Sequence, residues 1–137
     1  MADFTIGSVI ICDDIRTEQN GKHILIGVYG GDIVVSELPV TLPLAFWIEF
    51  LPKRAGEFRF DLRMEVPGSA PSLELNGIGA TTTNLDPGIM VLAPRPYVIQ
   101  AEGRLQLQLR SSSVGRWKTF KAKQIMRGPA AAAPSSG

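Results

Sequence analysis

The chain has 137 residues, 45% hydrophobic and 20% charged, the size and balance of one globular domain, which excludes a disordered or collagen-like chain. Its longest apolar stretches, Gly7–Cys12 and Leu38–Trp47, fall short of the roughly 20 apolar residues that cross a bilayer, so no transmembrane helix and no membrane association are expected. The formal charge of +1 hides an asymmetry: residues 1–102 hold all thirteen acids and seven bases, whereas residues 103–137 hold seven bases and no acid.

Such a split marks either an anionic partner or basic strands that neutralise acidic neighbours within the fold. Asp3 stands where a secretory leader would carry a basic residue, so a cytoplasmic location is expected. The single cysteine cannot form an internal disulfide, which leaves stability to a packed core.

Fourteen glycines and ten prolines are scattered between short apolar runs, the punctuation of a β protein. A first strand is predicted over Phe4–Ile15. The Asn20-Gly21 dipeptide predicts a two-residue hairpin turn leading into Lys22–Tyr29. Asp32–Ser36 is a short third strand. Pro39 and Pro43 mark a loop, because proline cannot donate to a central ladder. Leu44–Leu51 reads as a strand covered on both faces.

The clearest alternation follows: Phe58, Phe60, Leu62, Met64 and Val66 point inward, with Arg59, Asp61, Arg63 and Glu65 on a wet face. Leu73–Ala80 and Ile89–Leu92 are weaker strands. After Pro94 and Pro96 a second alternation puts Ile99, Ala101, Leu105, Leu107 and Leu109 inward, leaving Gln106, Gln108 and Arg110 in water. Arg116–Met126 returns as the last strand. Eight or nine strands with turn signals every 8–12 residues predict an all-β, antiparallel two-sheet β-sandwich, immunoglobulin-like or C2-like. One domain is expected over residues 1–127, followed by a disordered low-complexity tail over 128–137.

A two-residue turn at Asn20-Gly21 fixes a register in which Ile15 faces Ile26, Asp13 faces Val28 and Cys12 faces Tyr29. Ile11, Ile15, Ile26 and Val28 then form a core face that would include Asp13. A buried carboxylate needs a cation or several backbone donors. Either Asp13 has such partners, or a bulge near Cys12–Asp14 turns it outward.

The stretch Ile11-Cys12-Asp13-Asp14-Ile15-Arg16, with Glu18, Gly21-Lys22 and Leu25-Ile26-Gly27-Val28-Tyr29, resembles the opening of a family of small, uncharacterised bacterial proteins. The resemblance covers the first hairpin and Asp32–Pro43, about the first third of the chain. It implies a bacterial, cytoplasmic protein and supplies no mechanism.

Catalytic patterns are missing from the sequence. Cys12 and His23 are the lone residues of their types, and the hairpin register puts them roughly 20 Å apart, too far for a nucleophile and its base. One His and one Cys cannot build a structural zinc site. Asp13, Asp14 and Asp86 could meet only if distant loops converged, so no metal and no cofactor are expected. Gly77-Ile78-Gly79 lacks the helix that a phosphate cradle requires.

The reading that remains is a non-catalytic interaction module with a protein partner. Its expected surface is the corner of Cys12, Asp13, Asp14 and Arg16 with Tyr29. Self-association, acidic face against basic strand, is a second route. The alternative is an anionic ligand or single-stranded nucleic acid held by Arg116, Trp117, Lys118, Lys121 and Lys123, where a base could stack on the indole between cations.

Overall fold

The computed structural model describes residues 4–68, 73–111 and 115–128. Among them run nine strands: β1 (Phe4–Thr17), β2 (His23–Val28), β3 (Ile33–Val35), β4 (Val40–Pro52), β5 (Gly56–Glu65), β6 (Leu73–Thr82), β7 (Gly88–Ile99), β8 (Gly103–Arg110) and β9 (Lys118–Arg127). They form two sheets, one ordered β2-β1-β4-β7 and the other β3-β9-β8-β5-β6. This is the expected two-sheet sandwich. Neighbouring strands run antiparallel except β3 and β9, which pair in parallel. All of the expected tail except Gly128 lies outside the described residues.

The two alternating segments build the core as their periodicity predicts. Phe58, Phe60, Leu62, Met64 and Val66 are buried, as are Ile99, Leu105, Leu107 and Leu109. Leu62, Met64, Val66, Leu105 and Leu107 meet Ile11, Leu44, Phe46, Ile48 and Ile99 of the other sheet in the main core cluster. Each large apolar side chain taken from water contributes about 1.5–3 kcal/mol. An exposed ion pair contributes at most about 1 kcal/mol, so sheet packing dominates. At one end Phe4, Phe58, Phe60 and Leu109 form a second cluster with Phe50 packed against it.

Three local expectations are corrected. Pro43 lies inside β4, not in a loop. It faces Pro96 across the ladder to β7, and the ladder to β1 ends at Cys12–Ala45, so its missing donor costs little. Pro94 and Pro96 likewise lie inside β7, an edge strand that tolerates them. The alternation that spans Ile99–Arg110 in sequence is split by a turn at residues 100–102, after which Gly103 takes a φ of 143°.

The hairpin register is also different. Residues pair as Arg16–Ile24, Ile15–Leu25 and Asp14–Ile26, one step from the sequence expectation. The turn has three residues. Gly21 N–H donates to Glu18 C=O at 2.9 Å, Lys22 N–H donates to the Asn20 side chain at 3.0 Å, and Gly21 adopts φ 87°. A tight turn closed by a left-handed glycine is the three-residue solution to the same Asn-Gly signal.

Candidate functional site

β1 serves two partners in succession. Its first half pairs with β4 as far as Cys12, and its second half pairs with β2 from Cys12 onward. At the handover Gly27 has φ 70°, and a Cβ there would collide with the Asp13 carboxylate. Glycine is thus required twice, by backbone conformation and by close approach.

The chain bends at this point. Trp47 lies opposite Ile10 and His23 opposite Thr17, positions about 23 Å apart on a straight strand. Yet Trp47 Nε1–H donates to His23 Nδ1 at 3.3 Å. The β1–β2 hairpin therefore folds back toward β4.

Asp13 is exposed at this bend, so the register that would place it in the core does not form. Its carboxylate lies close enough to the Tyr29 hydroxyl to disfavour ionisation of the phenol. Burial, and then that carboxylate, push the Tyr29 pKa up to about 12. Asp14 accepts from the Ile15 N–H at 2.8 Å and from Arg16 Nε at 3.2 Å. Cys12 is fully buried, its Sγ 3.4 Å from the Asp14 carbonyl, and burial raises its thiol pKa. The five corner residues are thus neighbours, with Asp13, Arg16 and part of Tyr29 open to solvent. Asp86, in the β6–β7 connection, lies toward the opposite end of the sheet, where Gly88 pairs with Phe50. No group of three or more His, Cys, Asp or Glu residues among the described residues could hold a metal ion.

Sequence reasoning misplaced two apolar residues beside this corner and passed over a third. Ile26 and Val28, assigned to the core face, are 42% and 53% exposed, and Ile24 is 46% exposed. The reason is position: β2 ends its sheet and pairs with the half of β1 beyond Cys12, where the ladder to β4 has ended. The Glu18 N–H donates to the Lys22 carbonyl at 2.7 Å. Alternation from that bond turns the amides of His23 and Leu25 toward the open side of β2.

The second set does not assemble into one stripe. A register shift between Leu107 and Gln108 changes the phase of β9, so Lys118 pairs with Leu109, Lys121 with Leu107 and Lys123 with Leu105, apart from Trp117. Cross-strand partners share a face, which puts these lysines on the leucine side of the sheet. Trp117 instead lies against Arg63 and Arg110, whose guanidinium carbons are 4.4 and 4.3 Å from its ring centroid. Arg116 and Lys118 are exposed, while Lys123 Nζ donates to the Gly31 carbonyl at 2.8 Å.

The face expected to be wet is partly sealed by this arrangement. Asp61 is only 5% exposed, and it accepts from Arg110 Nε at 2.7 Å and from Gly77 N–H at 2.8 Å. The Gly77 amide, followed by Arg110, holds the Asp61 carboxyl below the usual carboxylate range. Gln108 accepts from Arg63 Nε at 2.7 Å and donates to Thr119. Part of the basic excess is therefore neutralised inside the sheet.

The fold and this corner define a small β-sandwich with a bent, solvent-exposed edge hairpin. The chain belongs to a family of unknown function, DUF6941, whose model matches residues 7–111. The match extends well past the opening hairpin, to the end of β8. No curated protein matches the chain. No helix among the described residues is long and apolar enough to cross a membrane.

Proposed function

We propose that this protein is a non-catalytic interaction module that binds an extended segment of a protein partner along β2. The observation that carries the reading is the exposure of Ile24, Ile26 and Val28 on a strand that ends its sheet. The open amides of His23 and Leu25 would pair with the added backbone, and alternate apolar side chains of the segment would cover the isoleucines. Asp13 and Arg16 offer one charge of each sign beside them for orientation.

The other edges are guarded in the ways that discourage such pairing. β7 carries Pro94 and Pro96, β3 has three residues, and β6 is broken in mid-strand where Gly77 takes φ 66° and the ladder to β5 shifts register, whereas the Gly27 bend of β2 lies beyond the open amides of His23 and Leu25. A buried free thiol at Cys12 suits a reducing bacterial cytoplasm. The salt-dependent anionic reading keeps Arg116, Lys118 and Lys121 but loses its stacking ring, because Trp117 lies against Arg63 and Arg110.

The test is a peptide display selection on immobilised protein, with an Ile24→Lys/Ile26→Lys variant as counter-selection. Extended peptides with alternating apolar residues, lost on the variant, support the reading. Peptides retained equally by both proteins reject it. Concentration-dependent dimers abolished by the same variant would make the partner a second copy of this chain.

A further inference from the structure

The far end of the sandwich holds a cavity of about 340 Å³ walled by Phe4, Phe50, Phe58, Phe60, Ile78 and Met90. It lies between β6 and β7, which end their respective sheets and do not pair with each other. The rings form a connected wall: Phe4 stands 5.3 Å from Phe50 and 5.4 Å from Phe60, centroid to centroid. Small residues at the lips, Gly79, Ala80 and Gly88, leave the entrance unfilled.

The chemistry of the wall selects the occupant. Among the described residues no ionisable side chain lines the cavity, and its side-chain hydroxyls are those of Thr81 and Thr82. Thr82 Oγ1 already donates to the Arg54 carbonyl at 3.4 Å. Arg54 stacks on Phe58, 5.1 Å from the ring centroid, and does not itself line the space. The space opens to solvent between the two strand edges, and water against its ring-lined wall finds few polar partners there, so an apolar occupant would release it favourably. An apolar cavity of about 150 Å³ accommodates benzene. Twice that volume suits a two-ring hydrocarbon or a short alkyl chain, at the lower end of the size range of small-molecule sites.

We propose that the phenylalanine-walled cavity between β6 and β7 is a binding site for a neutral, apolar small molecule. This site is separate from the β2 edge, and the two proposals stand or fall independently.

Gly88 provides the test. It pairs with Phe50, so its missing side chain would point into the cavity beside that ring, and a Cβ there meets nothing within 4 Å. Fluorescence titration with the neutral probe N-phenyl-1-naphthylamine compares wild type, Gly88→Phe and Ile24→Lys. The expected result is saturable one-to-one binding to wild type and Ile24→Lys, weakened at least tenfold in Gly88→Phe. No saturable binding to wild type, or equal affinity in a folded Gly88→Phe, overturns the proposal. Should Gly88→Phe not fold, methionine methyl resonances of wild type decide. The probe must shift Met90 and leave Met126 of β9 in place; the reverse pattern overturns the site.

Discussion

The Asp61 carboxylate and the Arg110 guanidinium meet at 2.7 Å on a sheet face that Trp117 then covers. Both partners are largely buried, with side-chain exposures of 7% and 18%. Removing one would leave the other as an uncompensated charge. Arg110→Ala should therefore destabilise the fold by about 3 kcal/mol, measured as a drop in denaturation midpoint at constant slope. A change within experimental error would show the pair to be solvated.

The same pair sets a pH dependence. Asp61 titrates lower in the folded state than the ordinary aspartate value of about 3.9 in the unfolded chain. Its contribution is complete above that unfolded value and is lost as pH falls through the lower folded one. Acid unfolding of wild type should thus steepen below about pH 4. Asp61→Asn should flatten that portion of the curve while lowering stability at neutral pH.

Trp117 should matter through its cations rather than through an external base. With two guanidiniums against one indole, Trp117→Ala is expected to cost roughly 1–2 kcal/mol. Tryptophan fluorescence of the wild type should be insensitive to added single-stranded oligonucleotides. Quenching that saturates and disappears at high salt would restore the nucleic-acid reading.

At the bend, Gly27→Ala forces a side chain into a left-handed backbone position and against Asp13. The conformational part alone costs about 1–2 kcal/mol. Asp13→Ala by itself should cost less than about 1 kcal/mol, because Asp13 is exposed. In the double variant the Asp13→Ala change should recover the steric part of the Gly27→Ala loss and leave the conformational part. Full additivity of the two losses would mean that the side chains do not meet.

Tyr29 supplies a spectroscopic readout of the corner. Its hydroxyl ionises near 12 in the folded protein, against an ordinary value of 10.0. A raised folded value favours the neutral hydroxyl, so its contribution is intact below about pH 10 and is lost as pH climbs through the folded pKa. Tyrosinate absorbance should show both tyrosines titrating late, Tyr97 because burial raises its pKa, with only the Tyr29 step moving to lower pH in Asp13→Asn. A titration unchanged by that substitution would contradict the Asp13–Tyr29 contact.

Alternation made β5 and β8 legible, because Phe58–Val66 and Leu105–Leu109 each have one face in a thick core. Legibility failed where the period breaks. The phase shift in β9 hid the separation of Trp117 from Lys121 and Lys123, since a bulge leaves no residue-type signature there. Asn20-Gly21 announced a turn but fit two loop lengths, and the one-residue difference moved every β2 partner. Ile26 and Val28 read as core because an apolar edge strand and an apolar core strand have the same composition. The cavity was out of reach altogether, because Phe4, Phe50, Phe58, Ile78 and Met90 come together from five strands.

The most direct test of β2 as the binding edge is backbone amide exchange with and without a selected extended peptide. The account predicts that the peptide slows exchange at His23 and Leu25, whose amides face the open side, and that Ile24→Lys/Ile26→Lys abolishes this protection. Protection confined to the Lys118–Arg127 strand, or to no strand edge at all, would contradict it.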